Sequence, residues 1–312
     1  MGRTIVMNQT NIVQNGLNNS FQYNFPNSVD LTGCQIAISS ISMYYSWNNI
    51  DTGILNNNFY SYNWVVGGVS TLFNVVMPPG LYEITDINNY LRFTMEQNTH
   101  YLIDDNSNFV YYAQWLVSPT LYAVNLNTFP VPTALPVGWS LPAGATWALP
   151  VATFNPIVST PANFNKIVGF ASTFSSSLNT GLNTSLSYFS TITPQVQPNS
   201  NLLVELSNID NKYASPSSII YSLSPTVNIG EQIIDRPPQY AFNKLLPGTY
   251  NNLRLRFIGT DFNNITIRDP QITILLTIED PADNTSDLNS FNNSVNQTVY
   301  RSGLMQTRNS AF

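Results

Sequence analysis

The sequence predicts an all-β fold: an antiparallel sandwich with one short helix and a Pro-rich insertion. Three observations carry that prediction. Short runs of β-branched and aromatic residues recur between turn residues, and several alternate with period two. Among the 312 residues, one stretch alone shows convincing helical spacing. Seven prolines between 127 and 165 rule out a long helix or a central strand there. About eight main strands split across the chain fit a jelly roll, although the pattern by itself leaves an immunoglobulin-like sandwich open.

In chain order, residues 1–18 are rich in Asn and Gln without periodicity and read as an extended arm. Phe21, Tyr23 and Phe25 alternate with polar neighbours and stop at Pro26, a short strand with one buried face. In 34–45, Ile36 and Ile38 share a phase. After Ser39-Ser40 the apolar phase moves to Ile41 and Met43, which predicts a bulge. Gly67-Gly68 between NFYSYNWVV and VSTLFNVVM predicts a hairpin turn. Ile87, Tyr90, Leu91 and Met95 predict a helix over about 86–97, with Thr85 as its N-cap. Strand character returns at 101–125 around an Asp104–Asn108 turn. It resumes after Pro194 in 202–206, 218–223, 252–258, 264–269 and 272–278. These signals give an arm at 1–18, a β-domain at 19–280 with an insertion or elaborated loop region at about 106–192, and a polar tail at 281–312. No internal repeat is evident, which disfavours solenoids and propellers.

Composition narrows function. Only 9% of residues are charged, against roughly 25% in an average globular chain. Polarity comes instead from Asn (42 residues), Ser and Thr, and between Asp105 and Glu205 the sole charged residue is Lys166. Such a surface suits close packing against neighbours, because few ions need desolvating. A net charge of -6 argues against a nucleic-acid surface. One Cys (Cys34) and one His (His100) exclude an intrachain disulfide framework, CxxC zinc sites and poly-His metal sites. No run of about 18 apolar residues exists, so no transmembrane helix is expected. The first residues lack an apolar signal core, and Val6 breaks the myristoylation pattern begun by Gly2.

Several constellations deserve weighing as chemistry. Asp104/Asp105, Asp210, Glu231/Asp235 and Asp261/Asp269 are the candidate glycosidase carboxylates, but each reads better as turn-forming or solvated. A Ser-His-Asp triad would need His100 and lacks a Gly-x-Ser-x-Gly elbow. A Cys34–His100 pair has no supporting signature: His100 reads as a cap past the helix and Cys34 as a small core residue. Asp104, Asp105, Asn106 and Asn108 lack the order of a calcium loop. Sequons at Asn183, Asn264 and Asn284 are expected by chance in so Asn-rich a chain. Tyr44, Tyr45, Trp47, Tyr60, Tyr62 and Trp64 could stack on a sugar, but read first as core and interface packing. No catalytic, cofactor-binding or metal-binding residue is therefore assigned, and the chain is expected not to be an enzyme.

An ordered set of segments resembles one family. It comprises FQYNFP (21–26), AISSISMYYSWNNI (37–50), PGLYEITDINNYL (79–91), TPQV (193–196), YASPSSIIY (213–221), PGTYNNLRLRF (247–257) and ITIRDPQITILL (265–276), shortly followed by Glu279. In this order they resemble the penton (minor capsid, vertex) proteins of virophages and polinton-like viruses, over about 20–280 and excluding 106–192. The resemblance implies a single jelly roll standing perpendicular to the capsid surface. Five copies would close a ring at each icosahedral fivefold vertex of the virion, assembled in the host cell. The implied partners are further copies of the chain, trimers of a double jelly-roll major capsid protein, and other minor capsid proteins, without nucleic-acid binding, membrane insertion or a cofactor. From the residues alone, a receptor- or carbohydrate-binding β-sandwich of a fibre or adhesin is the alternative, with 127–165 as its recognition surface.

Overall fold

The computed structural model describes residues 3–177, 181–196 and 201–280. The chain divides into two compact units: Met1–Ser46 with Asn201–Phe312, and Trp47–Ser200.

The first unit is built from eight principal strands: β1 (Arg3–Met7), β2 (Ser20–Asp30), β3 (Gln35–Tyr44), β4 (Leu202–Leu206), β5 (Ile219–Leu223), β6 (Gln232–Asp235), β7 (Thr249–Gly259) and β8 (Thr273–Glu279). One sheet runs β1-β8-β3-β6, extended by the short strand Asn243–Lys244 against β3; the other runs β5-β4-β7-β2. All pairings are antiparallel. Two four-stranded sheets in which first pairs with eighth and second with seventh make a jelly roll, so the immunoglobulin-like alternative falls away.

Alternation explains why these segments form a sandwich. Ile36, Ile38, Ile41, Met43, Ile274, Leu276 and Ile278 are buried from one sheet. Phe21, Leu202, Val204, Leu206, Leu253, Leu255 and Phe257 are buried from the other. Phe21 and Phe257 meet edge to face, with centroids 6.0 Å apart. The phase shift in β3 is a bulge. Leu276 pairs with Ile38 and Leu275 with Ser40, which leaves Ser39 as the extra residue, its hydroxyl donating to Leu275 O at 3.0 Å. The bulge keeps Ile36 and Ile38 on the same inner face as Ile41 and Met43.

Three boundaries differ from the sequence reading. Residues 3–7, assigned to an arm, form β1, in register with β8 from Arg3↔Ile278 to Met7↔Ile274. Ile5 and Met7 are buried, a pattern five residues long and too short to stand out from the polar stretch after it. β2 does not end at Pro26. Its register jumps between Asn24↔Asn252 and Val29↔Tyr250, so the irregularity absorbs the proline. The second unit also begins far ahead of the expected insertion, at 47 rather than about 106, and takes in the Gly67-Gly68 hairpin and the first helix. The expected tail, 281–312, lies outside the described residues.

In the second unit, Phe59–Val66 pairs with Val69–Val76 across Gly67 (φ 58°) and Gly68 (φ 83°), a turn whose two positive φ values glycine permits. Ile157–Thr160 adds to the outer side of Phe59–Val66, and Phe174–Ser175 adds to Ile157–Thr160. A second sheet joins Leu186–Phe189, Ala123–Thr128 and Ala113–Ser118. Helix α1 (Ile84–Gln97) buries Ile84, Ile87, Leu91 and Met95 in a core with Tyr60, Tyr62, Trp64 and Trp115. Its N-cap is Glu83, two residues before the expected Thr85: Asp86 accepts the Glu83 N–H at 2.9 Å, which satisfies an otherwise orphaned donor.

The expected single helix is joined by a second, α2 (Ala162–Val168), inside the Pro-rich stretch. Pro161 precedes it and Gly169, at φ 79°, closes it by donating to Asn165 O at 2.7 Å. A Cβ on Gly169 would run into the Ile192 carbonyl oxygen. Gly169→Ala is therefore expected to destabilise the chain by about 2 kcal/mol or more, read as a lowered thermal midpoint. An unchanged midpoint would contradict this role for Gly169.

Candidate functional site

The outer face of β1-β8-β3-β6 is the candidate site on the jelly roll. Antiparallel register sets its side chains in rows: Val6, Leu275 and Ser40 in one, Thr273, Ser42 and Ile234 in another, with Thr4 beside Thr277 and Tyr44 beside Gln232. None of these ten residues is charged. The charged residues of the four strands, Arg3, Asp235 and Glu279, all sit at strand ends, Glu279 outward beside Gln35. Val6 and Ile234 are 48% and 59% exposed and Leu275 is half-buried, so the face is apolar at three places with hydroxyls between them. Asn8, Thr10, Ser42, Tyr44, Gln232 and Gln271 share in lining a polar groove of about 340 Å³ at one end.

The opposite sheet presents a different surface. The Arg256 guanidinium meets the Glu205 carboxylate (Nε to Oε2, 2.8 Å), and Ser218 donates to the other Glu205 oxygen at 2.8 Å. Arg254 donates to Gln22 at 2.8 Å. Glu205, Ser218, Arg254 and Arg256 border a groove of about 390 Å³. A charged face and an uncharged one are chemically distinct, so contact between two copies of this unit need not be symmetric. At one edge of the sandwich, Tyr221 of β5 donates to Asp235 of β6 at 2.8 Å; burial and that carboxylate push its phenol up to about 12.

The structure disperses the residues weighed as chemistry. Asp104 accepts the Asn106 and Asn108 N–H groups at 2.9 and 2.7 Å and the Asn108 side chain at 3.1 Å. Those bonds hold its carboxyl below the usual range and occupy the oxygens a cation would need. Asp105 accepts from Asn106, Asp261 from Asn263, Asp269 from the Gln271 N–H, and Glu231 from Asn228. Asp210 lies beside Lys244, whose carbonyl takes its N–H. No cluster of three or more His, Cys, Asp or Glu able to hold a metal occurs among the described residues. Asn183 and Asn264 are exposed, while Asn284 lies outside the described residues.

His100 departs from the helix-cap reading. It is 2% exposed, stacked on Trp64 (4.9 Å, 11°) and edge-on to Phe73 (4.4 Å), with Nδ1 2.9 Å from the Tyr62 hydroxyl. Cys34 is buried in the other unit, just ahead of β3. Tyr45, Trp47, Tyr60, Tyr62 and Trp64 are buried and Tyr44 half-buried, so the six do not form an open platform. Another aromatic row reaches the surface through Phe109. That exposed ring stands 4.5 Å from the half-buried Tyr101, and Tyr101 6.1 Å from the half-buried Tyr111, whose ring lies 5.2 Å under the Arg92 guanidinium and whose hydroxyl donates to Glu96. The alternation of Tyr101, Ile103, Phe109 and Tyr111 was the available signal.

No family model and no curated protein matches the sequence. Among solved structures, the chain is similar to the crystal structure of the selenomethionine-labelled mavirus penton protein. The TM-score is 0.41 at 9% sequence identity, covering 89% of this chain and 98% of that one.

Burial sets how His100 responds to pH. Desolvation lowers its pKa from the ordinary 6.5 to about 4, so folding favours the neutral ring. The unfolded chain binds the proton more readily between these values. His100 therefore contributes no penalty above pH 6.5, an increasing one as pH falls, and the full one below about 4. The expected result is a steeper loss of thermal stability from pH 6.5 to 4 in the native chain than in His100→Gln. Parallel curves would contradict a neutral, caged imidazole.

Proposed function

We propose that this chain is a non-enzymatic capsid protein, a penton whose jelly roll closes a homopentameric ring at the fivefold vertices of an icosahedral virion. In that position it would pack against trimers of a double jelly-roll major capsid protein and meet other minor capsid proteins. The observation that carries the reading is the pairing of jelly-roll strand order with a sheet face whose rows from Thr4–Thr277 to Tyr44–Gln232 carry no charge, Glu279 and Lys244 lying beside Gln35 at its far end. Each copy carries -6, so copies repel unless they meet through uncharged surface. Asn, Ser and Thr can bond across such a contact without the cost of desolvating an ion. The quoted segments that resemble penton proteins support the same reading, since 21–26, 37–44, 219–221, 249–257 and 273–276 fall on β2, β3, β5, β7 and β8.

The row of Tyr101, Phe109 and Tyr111 beside Arg92 and Glu96 favours a second reading, a receptor- or carbohydrate-binding domain. Stable monomers that bind a glycan array would support it over the ring.

The ring is tested by placing charge on the uncharged face. Ser42 lies between Thr273 and Ile234, in an uncharged row of that face. Ser42→Glu is expected to shift the monomer's stability by about 1 kcal/mol or less. A desolvated, unpaired carboxylate at a contact costs more than about 1.4 kcal/mol, so assembly should weaken at least about tenfold. Thermal melts and solution mass read the two effects separately. Equal loss of both, or unaltered assembly, would overturn the assignment of this face.

A further inference from the structure

The loop 13–19, between β1 and β2, holds Asn15-Gly16, the one Asn-Gly step among the chain's 42 asparagines. Both residues are exposed. Gly16 sits at φ 75°, and a Cβ added there would meet nothing. Backbone conformation rather than packing therefore calls for glycine at this point.

The loop brings an amide carbon and a backbone nitrogen together. Leu17 N–H donates to Asn15 Oδ1 at 3.0 Å, an Asx turn that folds the side chain back over the Gly16 peptide. A donor on Oδ1 draws electron density from Cγ and makes that carbon the better electrophile. The Gly16 N–H has no acceptor among the described residues, and Gly16 has no side chain to obstruct its nitrogen. Two other asparagines followed by a small residue lack one of these conditions. Asn19, ahead of Ser20, is fully buried. Asn106 is exposed, but the N–H of Ser107 is taken by Asp104 O at 3.0 Å.

We propose that Asn15 is a site of spontaneous deamidation. The Gly16 nitrogen gives up its proton and bonds to Asn15 Cγ, which closes a cyclic imide. The Cγ–Nδ2 bond breaks, and the departing nitrogen takes up protons and leaves as ammonia. Water then opens the imide at either carbonyl. One opening leaves an aspartate side chain, and the other leaves an isoaspartyl linkage in which the chain runs through Cγ. A water is consumed and an ammonia released, with no change of oxidation state.

The product changes what the loop can hold. Asn15 Nδ2 donates to Asn19 Oδ1 at 3.2 Å; Asn19 in turn donates to Phe257 O at 3.2 Å and accepts the Phe257 N–H at 2.8 Å, on β7. A carboxylate only accepts, so the bond to Asn19 becomes a contact between two oxygens, and the chain's charge of -6 gains another negative. Leu17 O takes the Ile267 N–H at 2.8 Å, and Asn18 donates to Ile267 O at 2.9 Å. The longer isoaspartyl backbone just ahead of Leu17 disturbs that pair as well.

The test is to age the full chain in mildly alkaline buffer and map its peptides by mass. Conversion at Asn15 should run at least about tenfold faster than at Asn106, a barrier difference of about 1.4 kcal/mol. Aspartyl and isoaspartyl peptides should both appear, and the rate should rise with pH because attack needs the Gly16 nitrogen without its proton. Asn15→Gln should abolish the change at this position, since its extra methylene demands a larger ring. Conversion no faster than at Asn106, or a rate indifferent to pH, would overturn the proposal. Asn15→Asp supplies a second readout: it should lower the thermal midpoint, and an unchanged midpoint would overturn the role given to the Asn15–Asn19 bond.

Discussion

Strand pairing between the two ends of the chain is the constraint on which the first unit depends. β3 and β8 pair over seven positions, from Thr273↔Ser42 to Glu279↔Gln35, and β2 and β7 pair on the other sheet. Each pairing spans more than 200 residues of sequence. The 154 residues of the second unit, 47–200, are inserted between β3 and β4. A one-residue slip along β8 would turn Ile274, Leu276 and Ile278 outward and bring Thr273, Leu275 and Thr277 into the core. The bulge at Ser39 prevents the corresponding error in β3, because it lets two apolar phases share one inner face.

That arrangement frees the outer faces for other work. Once the inner positions are filled by Ile, Leu, Val, Met and Phe, the outward ones are constrained only by pleat and solvent. On β1-β8-β3-β6 they are Thr, Ser, Gln, Tyr, Leu, Val and Ile, with Glu279 at one end; on β5-β4-β7-β2 they include Arg254, Arg256 and Glu205. An isolated soluble domain would gain from charge on both faces. Keeping one face neutral makes sense where that face leaves water. The second unit extends the pattern, since Lys166 is its only charge after Asp105.

Much of the sandwich was legible because a half-buried strand writes its burial as alternation. Leu253, Leu255 and Phe257 against Arg254 and Arg256 is the clearest case, and the Gly67-Gly68 turn and the Ser39 bulge were read from the same kind of signal. β1 was not legible: its two buried side chains, Ile5 and Met7, are too few to make a period. α2 was hidden because prolines around it argue against helix, although Pro161 before and Gly169 after mark its two ends. The division at 47 left no trace in composition, because the aromatic hairpin 59–76 resembles a sandwich strand pair whichever core it serves. For the candidate site, local sequence could show that the chain has few charges. It could not show that β1, β8, β3 and β6 gather their uncharged sides on one face, because sheet order is a long-range property. His100 was misread for a related reason: Tyr62, Trp64 and Phe73 surround it only after the hairpin folds over the end of α1.

The most direct test of the account is a density map of the particle at its fivefold vertex. The account predicts five copies of the β1–β8 sandwich around the axis, each meeting the next through its uncharged sheet. A vertex built from a different fold, or particles lacking this chain at those positions, would contradict it.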